Sequence, residues 1–554
     1  MIARKSFVIM VTQALSAVIG LLALTAVSKL WGSSAPSLLG VVWFGMAFVG
    51  TFSFITNMGF DATHIKKVSE GKDLGTCNGT FLAIKLILVS ILVLSVVSGI
   101  AIWKYILNKE FYDATKESVI YIFLGFYVFF ALAQIPIMTF NGLRKNVKSQ
   151  FTLIIEYLIR SPLMVLVALA GVTGAYVTLE GSTEIINIAP TVVWPSFLSN
   201  LQDYLATNAI GALSFAYFFG AFAMFIMGFF LLREYPIKRP TREYFSFYLK
   251  FAIPLMVPIF FTFIIFYIDK VMLGYFWTST EVGHYFAVQR LTTMVLMISS
   301  AVGIVLYPTV STLDAKYKHD RKKLNLVIAY ITRNSERYSS MVTVPIVFII
   351  IVFAVPIIDI VLNSSFRPAE LSLQLLTIYT YVLTLCMPFR YLILGMDQPE
   401  TIARVVIISG IMNVFFNLLL IPENGLLSQF DINGPSGAAL AALISALVMF
   451  IGFHRYSRRI TKVRFRWTKV IVHLVAGSIM GLTVWEIGTH LEPLKWYFLV
   501  GLAFVGTCMY VGILWLFGEF KKKDYRFFMD TVNPMNVFRY IKDEIWERPK
   551  KGLD

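Results

Sequence analysis

Charged side chains stand inside long apolar stretches of this chain, where a charge is costly and usually has a role. Two of them are carboxylates, Glu156 and Asp269. A buried cation attracts an anion, so the pattern indicates that an anionic group is bound in apolar surroundings. The cations number six and lie in six different apolar stretches: Lys85, Arg160, Lys270, Arg290, Arg390 and Arg404.

Each of these charges also has a purely structural interpretation. Lys85, Arg390 and Arg404 stand near the ends of their apolar stretches, where long side chains can extend to lipid headgroups. Glu156 precedes Arg160 by four residues, which places both on one face of a helix and would neutralise the arginine. The sequence leaves open which of the two interpretations holds for each residue.

The stretch FIIFYIDKVMLGYF, residues 263–276, places Asp269 and Lys270 side by side in an apolar run. A lone charge at the centre of a membrane helix costs about 2.5–3.5 kcal/mol, so a partner is expected. Arg290 lies at nearly equal depth in the next apolar stretch. We therefore predict an Asp269–Arg290 pair that leaves Lys270 free to face a cavity or to extend outward to the membrane surface. The alternative is that Asp269 couples transport to protons.

The elements that hold these residues are membrane spans. Of 554 residues, 57% are hydrophobic and only 14% are charged, which indicates a multi-pass integral membrane protein. We predict about 14 transmembrane helices between residues 7 and 518. Of the 48 Lys and Arg residues, 36 fall in one alternate set of connecting segments and 5 in the other, so both termini are predicted to be cytoplasmic.

Several other kinds of site are disfavoured. The three cysteines are scattered and the six histidines form no metal-ligand spacing, so no metal site is predicted. The chain has no GxxxxGK[ST] motif and no DxD pair on an outer loop. The net charge of +16 follows from the cytoplasmic bias and does not require nucleic acid. The basic segments 316–324 and 455–469 are predicted to face anionic membrane lipids.

The chain repeats itself weakly. LGVVWFGM from Leu39 matches VGHYFAVQ from Val282, and NGLRKNVKSQ from Asn141 matches LGMDQPETIA from Leu394. The offsets of 243 and 253 residues relate six helices to six helices in parallel orientation. We predict an all-α protein with two pseudo-symmetric six-helix lobes: an N-lobe (1–240), a C-lobe (241–460), two further helices (461–520) and a basic amphipathic cytoplasmic tail (521–554).

Two passages resemble the polysaccharide (Wzx-type) flippase family of the multidrug/oligosaccharidyl-lipid/polysaccharide (MOP) exporter superfamily. The first is DKVMLGYFWTSTEVGHYFAVQRLTTMVLMISSAVGIVLYPTVSTL from Asp269, and the second is NVFFNLLLIPENG from Asn413 with GPSGAALAALISA from Gly434. The segment GFDATHIKKVSEGKDLG from Gly59 is most similar to archaeal members.

This resemblance implies a flippase of the plasma membrane and not an enzyme. Its cargo would be a polyprenyl (phospho)-linked oligosaccharide, moved from the cytoplasmic to the outer leaflet by alternating access for polysaccharide, S-layer or glycoprotein assembly. The six cations would bind the anionic glycan lipid. Glu156 and Asp269 would either couple transport to an ion or form ion pairs with the cations. No cofactor is expected beyond a coupling H⁺ or Na⁺, and glycosyltransferases of the same pathway are candidate partners. A drug/cation antiporter of the same superfamily and a polytopic glycan polymerase or ligase are the alternatives.

Overall fold

A computed structural model of the chain describes residues 2–107, 114–179, 182–317, 319–491, 494–522 and 524. Seventeen α-helices and one β-hairpin lie within these ranges. They are α1 (Ile2–Trp31), α2 (Ala35–Phe52), α3 (Phe60–Ser69), α4 (Leu74–Ala101), α5 (Ala114–Gly142), α6 (Asn146–Ala170), β1 (Val172–Leu179), β2 (Ser182–Ile188), α7 (Ser199–Thr207), α8 (Ala209–Leu232), α9 (Arg242–Phe276), α10 (Ser279–Lys316), α11 (Arg321–Val352), α12 (Ala354–Val361), α13 (Glu370–Gly395), α14 (Pro399–Leu420), α15 (Gly434–Thr461), α16 (Trp467–Thr489) and α17 (Trp496–Leu516).

The long helices confirm the predicted fold class. Twelve stretches of the described residues are long and apolar enough to cross a membrane, and the first, Val11–Thr56, contains both α1 and α2. α10 occupies the remaining predicted span, so the 14 predicted spans each correspond to a long helix. The chain is a multi-pass membrane protein. Helices α3, α7 and α12 are short and lie between spans.

The segment 174–208, predicted as an outer loop, contains an antiparallel hairpin followed by α7. β1 pairs with β2, with Tyr176 opposite Ile185. Both strands are rich in β-branched residues, which favour extended backbone. We call the end of the bundle that carries this hairpin the outer end and the opposite end the inner end, as in the predicted orientation.

The structure repeats the same turn in both lobes. A Cβ added to Gly142, at the end of α5, would lie 2.7 Å from Cβ of Val68. A Cβ added to Gly395, at the end of α13, would likewise lie 2.7 Å from Cβ of Val310. Both glycines therefore allow the end of one helix to pack closely on a neighbour, and they stand at the repeat offset of 253 residues.

The backbone after each glycine is also the same. Arg144 has φ 59° and Asp397 has φ 56°, and the offset between them is again 253 residues. In each case the following residue donates a backbone hydrogen bond to the carbonyl five positions earlier, at 2.8 Å in the N-lobe and 3.2 Å in the C-lobe. This pattern closes a helix C-terminus. The two matching turns support the two-lobe architecture, while the bounds of the four predicted domains stay a prediction.

The apolar core joins the lobes at the outer end and divides at the inner end. One cluster of buried residues runs through the outer ends of both lobes; it includes Val41, Trp43, Leu273, Val282, Tyr285, Leu373 and Ala438. At the inner end the buried residues form separate clusters. One cluster includes Phe60, Phe81 and Phe140 of the N-lobe together with Tyr248 from the first half of α9. The other includes Val310, Phe389, Val405 and Phe453 of the C-lobe.

Two helices cross closely where the lobes meet at the outer end. A Cβ on Gly40 of α2 would overlap the backbone oxygen of Ser279, at the start of α10. A Cβ on Gly283 of α10 would overlap the backbone oxygen of Pro36, at the start of α2. Gly283 follows Gly40 by 243 residues, and Ser279 follows Pro36 by the same number. The two halves of the contact are therefore equivalent, and the contact is reciprocal.

The chain beyond α17 folds back onto α11 at the inner end. Arg337 donates to Glu519 Oε1 at 2.5 Å and to both carboxylate oxygens of Asp524, at 3.0 and 2.8 Å. Lys469 of α16 also contacts Glu519. The predicted amphipathic tail lies, from residue 525 onward, outside the described residues.

Candidate functional site

A cavity of about 580 Å³ lies within the N-lobe and is closed on one side by α9. We call it the large cavity. Its lining combines two ion pairs with aromatic rings and neutral polar groups: Met46, Ser53, Thr56, Asn57, Asp61, Lys85, Phe126, Tyr127, Phe130, Gln134, Met138, Leu153, Glu156, Tyr157, Arg160, Met224, Phe263 and Tyr267.

Lys85 reaches the large cavity from α4 and does not extend to the membrane surface. Its side chain is 1% exposed, and Nζ lies 2.6 Å from Asp61 Oδ1. Nζ also donates to the backbone oxygen of Thr56 at 2.7 Å. Asp61 is positioned by the first turn of α3, directly after the left-handed Gly59 that ends the preceding turn. The lysine is therefore held as part of a neutral pair.

Arg160 and Glu156 form the predicted pair on α6, with Nη1 2.7 Å from Oε1. The guanidinium also lies over two rings, 4.5 Å from the centroid of Tyr157 and 4.7 Å from that of Tyr217. These cation–π contacts fix the plane of the guanidinium and leave it at the cavity wall. Of the two interpretations that the sequence left open for Arg160, the structure shows the ion pair with Glu156, and contact with a cargo stays a prediction.

Arg290 lines a second cavity of about 320 Å³, between α1, α6 and α10. We call it the small cavity. It adjoins the large cavity, because Leu153 and Tyr157 line both. The rest of its lining is neutral: Thr12, Gln13, Ser16, Ala17, Gln150, Thr293 and Met294.

The charge of Arg290 has no close counter-ion in the described part of the chain. Among the described residues no carboxylate oxygen lies within 4.0 Å of its guanidinium. Glu156 is near enough to feel the charge of Arg290, but its salt bridge is with Arg160. The side chain is half-buried and surrounded by hydroxyl and amide groups. Such a cation can accept an anionic ligand without first breaking an ion pair.

The Asp269–Arg290 pair that the sequence predicted is wrong. Asp269 Oδ1 lies 2.9 Å from Nζ of Lys270, and Oδ2 accepts a hydrogen bond from the hydroxyl of Tyr285 at 2.5 Å. Lys270 is 0% exposed and therefore does not face a cavity. Arg290 follows Tyr285 by five residues, which turns it about 140° around α10 and away from Asp269.

The two remaining predicted cations lie elsewhere. Arg390 is half-buried on α13, and Arg404 is 64% exposed on α14, 3.7 Å from the exposed Glu400. Neither is among the residues that line the two cavities. Of the six predicted cations, the structure thus brings Lys85, Arg160 and Arg290 together.

Sequence reasoning missed two parts of the site. Asp61 was overlooked because α3 lies between two spans, although an acidic residue two positions after a glycine at a span end is a usable signal. The second part is the contact of Tyr127 with Tyr267, whose hydroxyls lie 3.2 Å apart and join α5 to α9. No sequence pattern signals such a contact between distant helices. Within the described ranges no three His, Cys, Asp or Glu residues are grouped as metal ligands.

Taken together, the charged residues that line the two cavities are two carboxylates and three cations, a net charge of +1. Four of the five form the two ion pairs, and Arg290 has no carboxylate partner among the residues that the structure describes. Rings and neutral polar groups around them can pack on and hydrogen-bond a polyhydroxyl ligand. The arrangement can hold an anion at one point and an uncharged polar group beside it.

Comparison with known sequences gives partial matches. The profile of a family described as "Polysaccharide biosynthesis protein" matches residues 183–370. The probable low-salt glycan biosynthesis flippase Agl15 of Haloferax volcanii is 26% identical over 220 residues, 39% of this chain and 43% of that protein. The uncharacterized membrane protein MJ1068 of Methanocaldococcus jannaschii is 25% identical over 255 residues, 46% of each chain. The matches thus span less than half the length of these relatives.

Comparison with solved structures covers nearly the whole chain. The lipid II flippase MurJ in an inward closed conformation aligns with a TM-score of 0.64 and 14% identity, over 92% of this chain and 98% of that one. An inward-facing multidrug resistance MATE family transporter of the MOP superfamily aligns with a TM-score of 0.57 and 12% identity, over 80% and 96%. The chain has the same fold as these two transporters, and with the sequence matches this confirms the predicted resemblance.

Proposed function

We propose that this chain, with its MOP-superfamily fold, is a flippase for a polyprenyl (phospho)-linked oligosaccharide. The similarity to a glycan biosynthesis flippase and to a lipid II flippase supports a lipid-linked glycan as cargo. The direction we propose is from the inner to the outer leaflet. The named relatives with a stated role are flippases and transporters, which supports transport without covalent chemistry.

The observation that carries the proposal is the unpaired Arg290 in the small cavity. A phosphate needs a cation that is not already neutralised, and the glycan needs rings and neutral hydrogen-bonding groups nearby. The small cavity provides the first and the adjoining large cavity the second. The two ion pairs of the large cavity, Asp61–Lys85 and Glu156–Arg160, add polar groups without adding net charge.

The division of the apolar core supports alternating access. At the outer end the lobes share one core and the close crossing of α2 and α10. At the inner end the described buried residues form two separate clusters, with the first half of α9 packed into the N-lobe one. A structure closed at one end and divided at the other is one of the two states that a rocking transporter needs.

The cavity charge disfavours a drug/cation antiporter. Both carboxylates that line the cavities, Asp61 and Glu156, already have a cation within 2.7 Å. A cationic drug would have to displace Lys85 or Arg160 from its partner and would meet the unpaired Arg290. An anionic cargo meets neither obstacle.

The test is binding and transport by the purified full-length protein. Native mass spectrometry should detect a co-purifying polyprenyl-linked glycan, and proteoliposomes should move a fluorescent polyprenyl phosphate-linked sugar between leaflets. Arg290→Gln keeps a polar, hydrogen-bonding side chain of shorter reach but removes the charge. Loss of a charged hydrogen bond should weaken cargo binding roughly ten- to hundredfold.

Arg404→Gln is the matched control, because Arg404 carries the same charge on an exposed surface outside both cavities. It should leave binding unchanged. Equal loss in both variants, or a cargo that carries a positive charge, would contradict the proposal.

A further inference from the structure

A groove of about 400 Å³ lies between α14 and α15, outside the two cavities. Its apolar walls are Val405 and Ile408 on α14 and Val448 and Ile451 on α15. Ile408 is 49% exposed and Ile451 is 51% exposed, although both belong to membrane-spanning helices. The groove therefore opens sideways toward the hydrocarbon of the membrane.

The inner end of this groove is basic. Arg455 and Arg459 line it together with Tyr456, and they stand one helical turn apart on the same face of α15. The guanidinium of Arg459 lies 5.8 Å from the ring centroid of Tyr456. In the described part of the chain neither arginine has a carboxylate within 4.0 Å. The groove thus joins an apolar channel to two uncompensated cations.

We propose that this groove binds an anionic phospholipid. The phosphate would lie between Arg455 and Arg459, and an acyl chain would lie along the wall formed by Ile408, Val448 and Ile451. From Arg459 to Val448 is 11 residues, about 16 Å along the helix, which is close to the half-thickness of the hydrocarbon core. A free phosphate would match the arginines but would leave the apolar walls uncovered.

The test measures lipid binding to the purified full-length protein in detergent. Native mass spectrometry titrates phosphatidylglycerol and phosphatidylcholine, and size-exclusion chromatography confirms that each variant is folded. Phosphatidylglycerol should bind more tightly than phosphatidylcholine. Each of Arg455→Gln and Arg459→Gln should weaken phosphatidylglycerol binding about fivefold, the effect expected for one basic residue at an anionic membrane surface.

Arg458→Gln is the matched control, because it removes the same charge from the same end of α15 but Arg458 does not line the groove. It should leave the affinity unchanged. Ile408→Trp keeps every charge and fills the groove from α14, so it should also reduce binding. The proposal is overturned if Arg458→Gln is as harmful as Arg455→Gln, if Ile408→Trp has no effect, or if millimolar inorganic phosphate displaces the lipid.

Discussion

At the scale of single residues, the buried charges of this protein are held by partners close in sequence or on the adjacent helix. Asp269 is bound by its own neighbour Lys270 and by Tyr285, and Glu156 is bound by Arg160 one turn away. Local pairs of this kind remain together when helices move. Arg290 differs from them because, in the described part of the chain, no carboxylate oxygen lies within 4.0 Å of its guanidinium.

The Asp269–Lys270 pair makes a stability prediction. Asp269→Asn leaves Lys270 charged and without its carboxylate in a fully buried position, which should cost about 3–5 kcal/mol. Adding Lys270→Met removes the orphaned charge and should recover most of that loss. Thermal unfolding in detergent measures both variants. If the effects of Asp269→Asn and Arg290→Gln on the free energy of unfolding are instead non-additive, Asp269 is coupled to Arg290. That result would contradict the Asp269–Lys270 pairing seen in the structure.

The identity of the charged residues could be predicted from sequence, but their partners only in part. The Glu156–Arg160 pair follows from a spacing of four within one helix. The partner of Asp269 does not, because equal depth in two spans leaves the rotation of each helix undetermined. A lysine is also long enough to turn back to the residue beside it, as Lys270 does.

At the scale of helices, the crossing of α2 and α10 determines how closely the lobes approach at the outer end. Gly40 and Gly283 let two backbones touch, and such contacts between small residues drive helix association in membranes. At the inner end the described buried residues form two separate clusters, the N-lobe one joined to the other lobe through the first half of α9. Movement of the lobes must therefore separate this crossing.

Gly40→Ala should open the outer end, because its Cβ would overlap the backbone of Ser279. Spin labels at the exposed positions Ser33 and Glu423, one in each lobe, should move apart in double electron–electron resonance measurements. Gly211→Ala is the control, since no atom lies within 4 Å of its added Cβ. Unchanged distances in Gly40→Ala would show that the crossing does not determine the outer closure.

A second contact is the group formed by Arg337, Lys469, Glu519 and Asp524, which we call the Arg337 cluster. It predicts that the folded protein loses stability in acid. Burial alone would raise the pKa of Glu519, but the nearby His473, whose Nε2 lies 3.8 Å away, and the hydrogen bonds from Lys469 and Arg337 more than offset it and bring the pKa to about 2. For Asp524, burial is likewise offset by hydrogen bonds, chiefly from Arg337, and its pKa also falls to about 2. Stability from lowered carboxyl pKa values is present above about pH 4 and is lost as the pH falls toward 2.

These two carboxyl groups should therefore not change the midpoint of thermal unfolding between about pH 5 and 8. Once the pH is lower than about 4, they should make the midpoint decrease. Glu519→Gln should lower the midpoint at pH 7 and reduce its dependence on pH below 4. Glu400→Gln, at a site 86% exposed, should change neither. The same acid sensitivity in wild type and Glu519→Gln would contradict this assignment.

At the scale of the whole molecule, hydropathy predicted the 14 spans well because each must cross about 30 Å of hydrocarbon. The repeat was also visible, since Gly142 and Gly395 close the same turn in both lobes. What the sequence did not predict were contacts that depend on how helices pack. Examples are the joining of Tyr127 to Tyr267 and the return of Glu519 to Arg337.

The orientation in the membrane is predicted from charge and can be measured directly. In a Cys508→Ser background, which removes the exposed native cysteine, Val193→Cys and Arg464→Cys are placed at exposed positions of opposite ends. An impermeant maleimide on intact cells should label position 193 and not position 464. Labelling of 464 alone would reverse the orientation and the proposed direction of transport.

The reciprocal crossing of α2 and α10 also bears on how such a chain can be assembled. Each lobe carries both members of the contact, a glycine and the backbone oxygen four residues before it: Pro36 with Gly40, and Ser279 with Gly283. In symmetry terms this is an isologous interface, the kind that two identical subunits form about a two-fold axis. The two lobes thus meet at this crossing through the same pair of elements, which is the form of contact that two identical subunits would make.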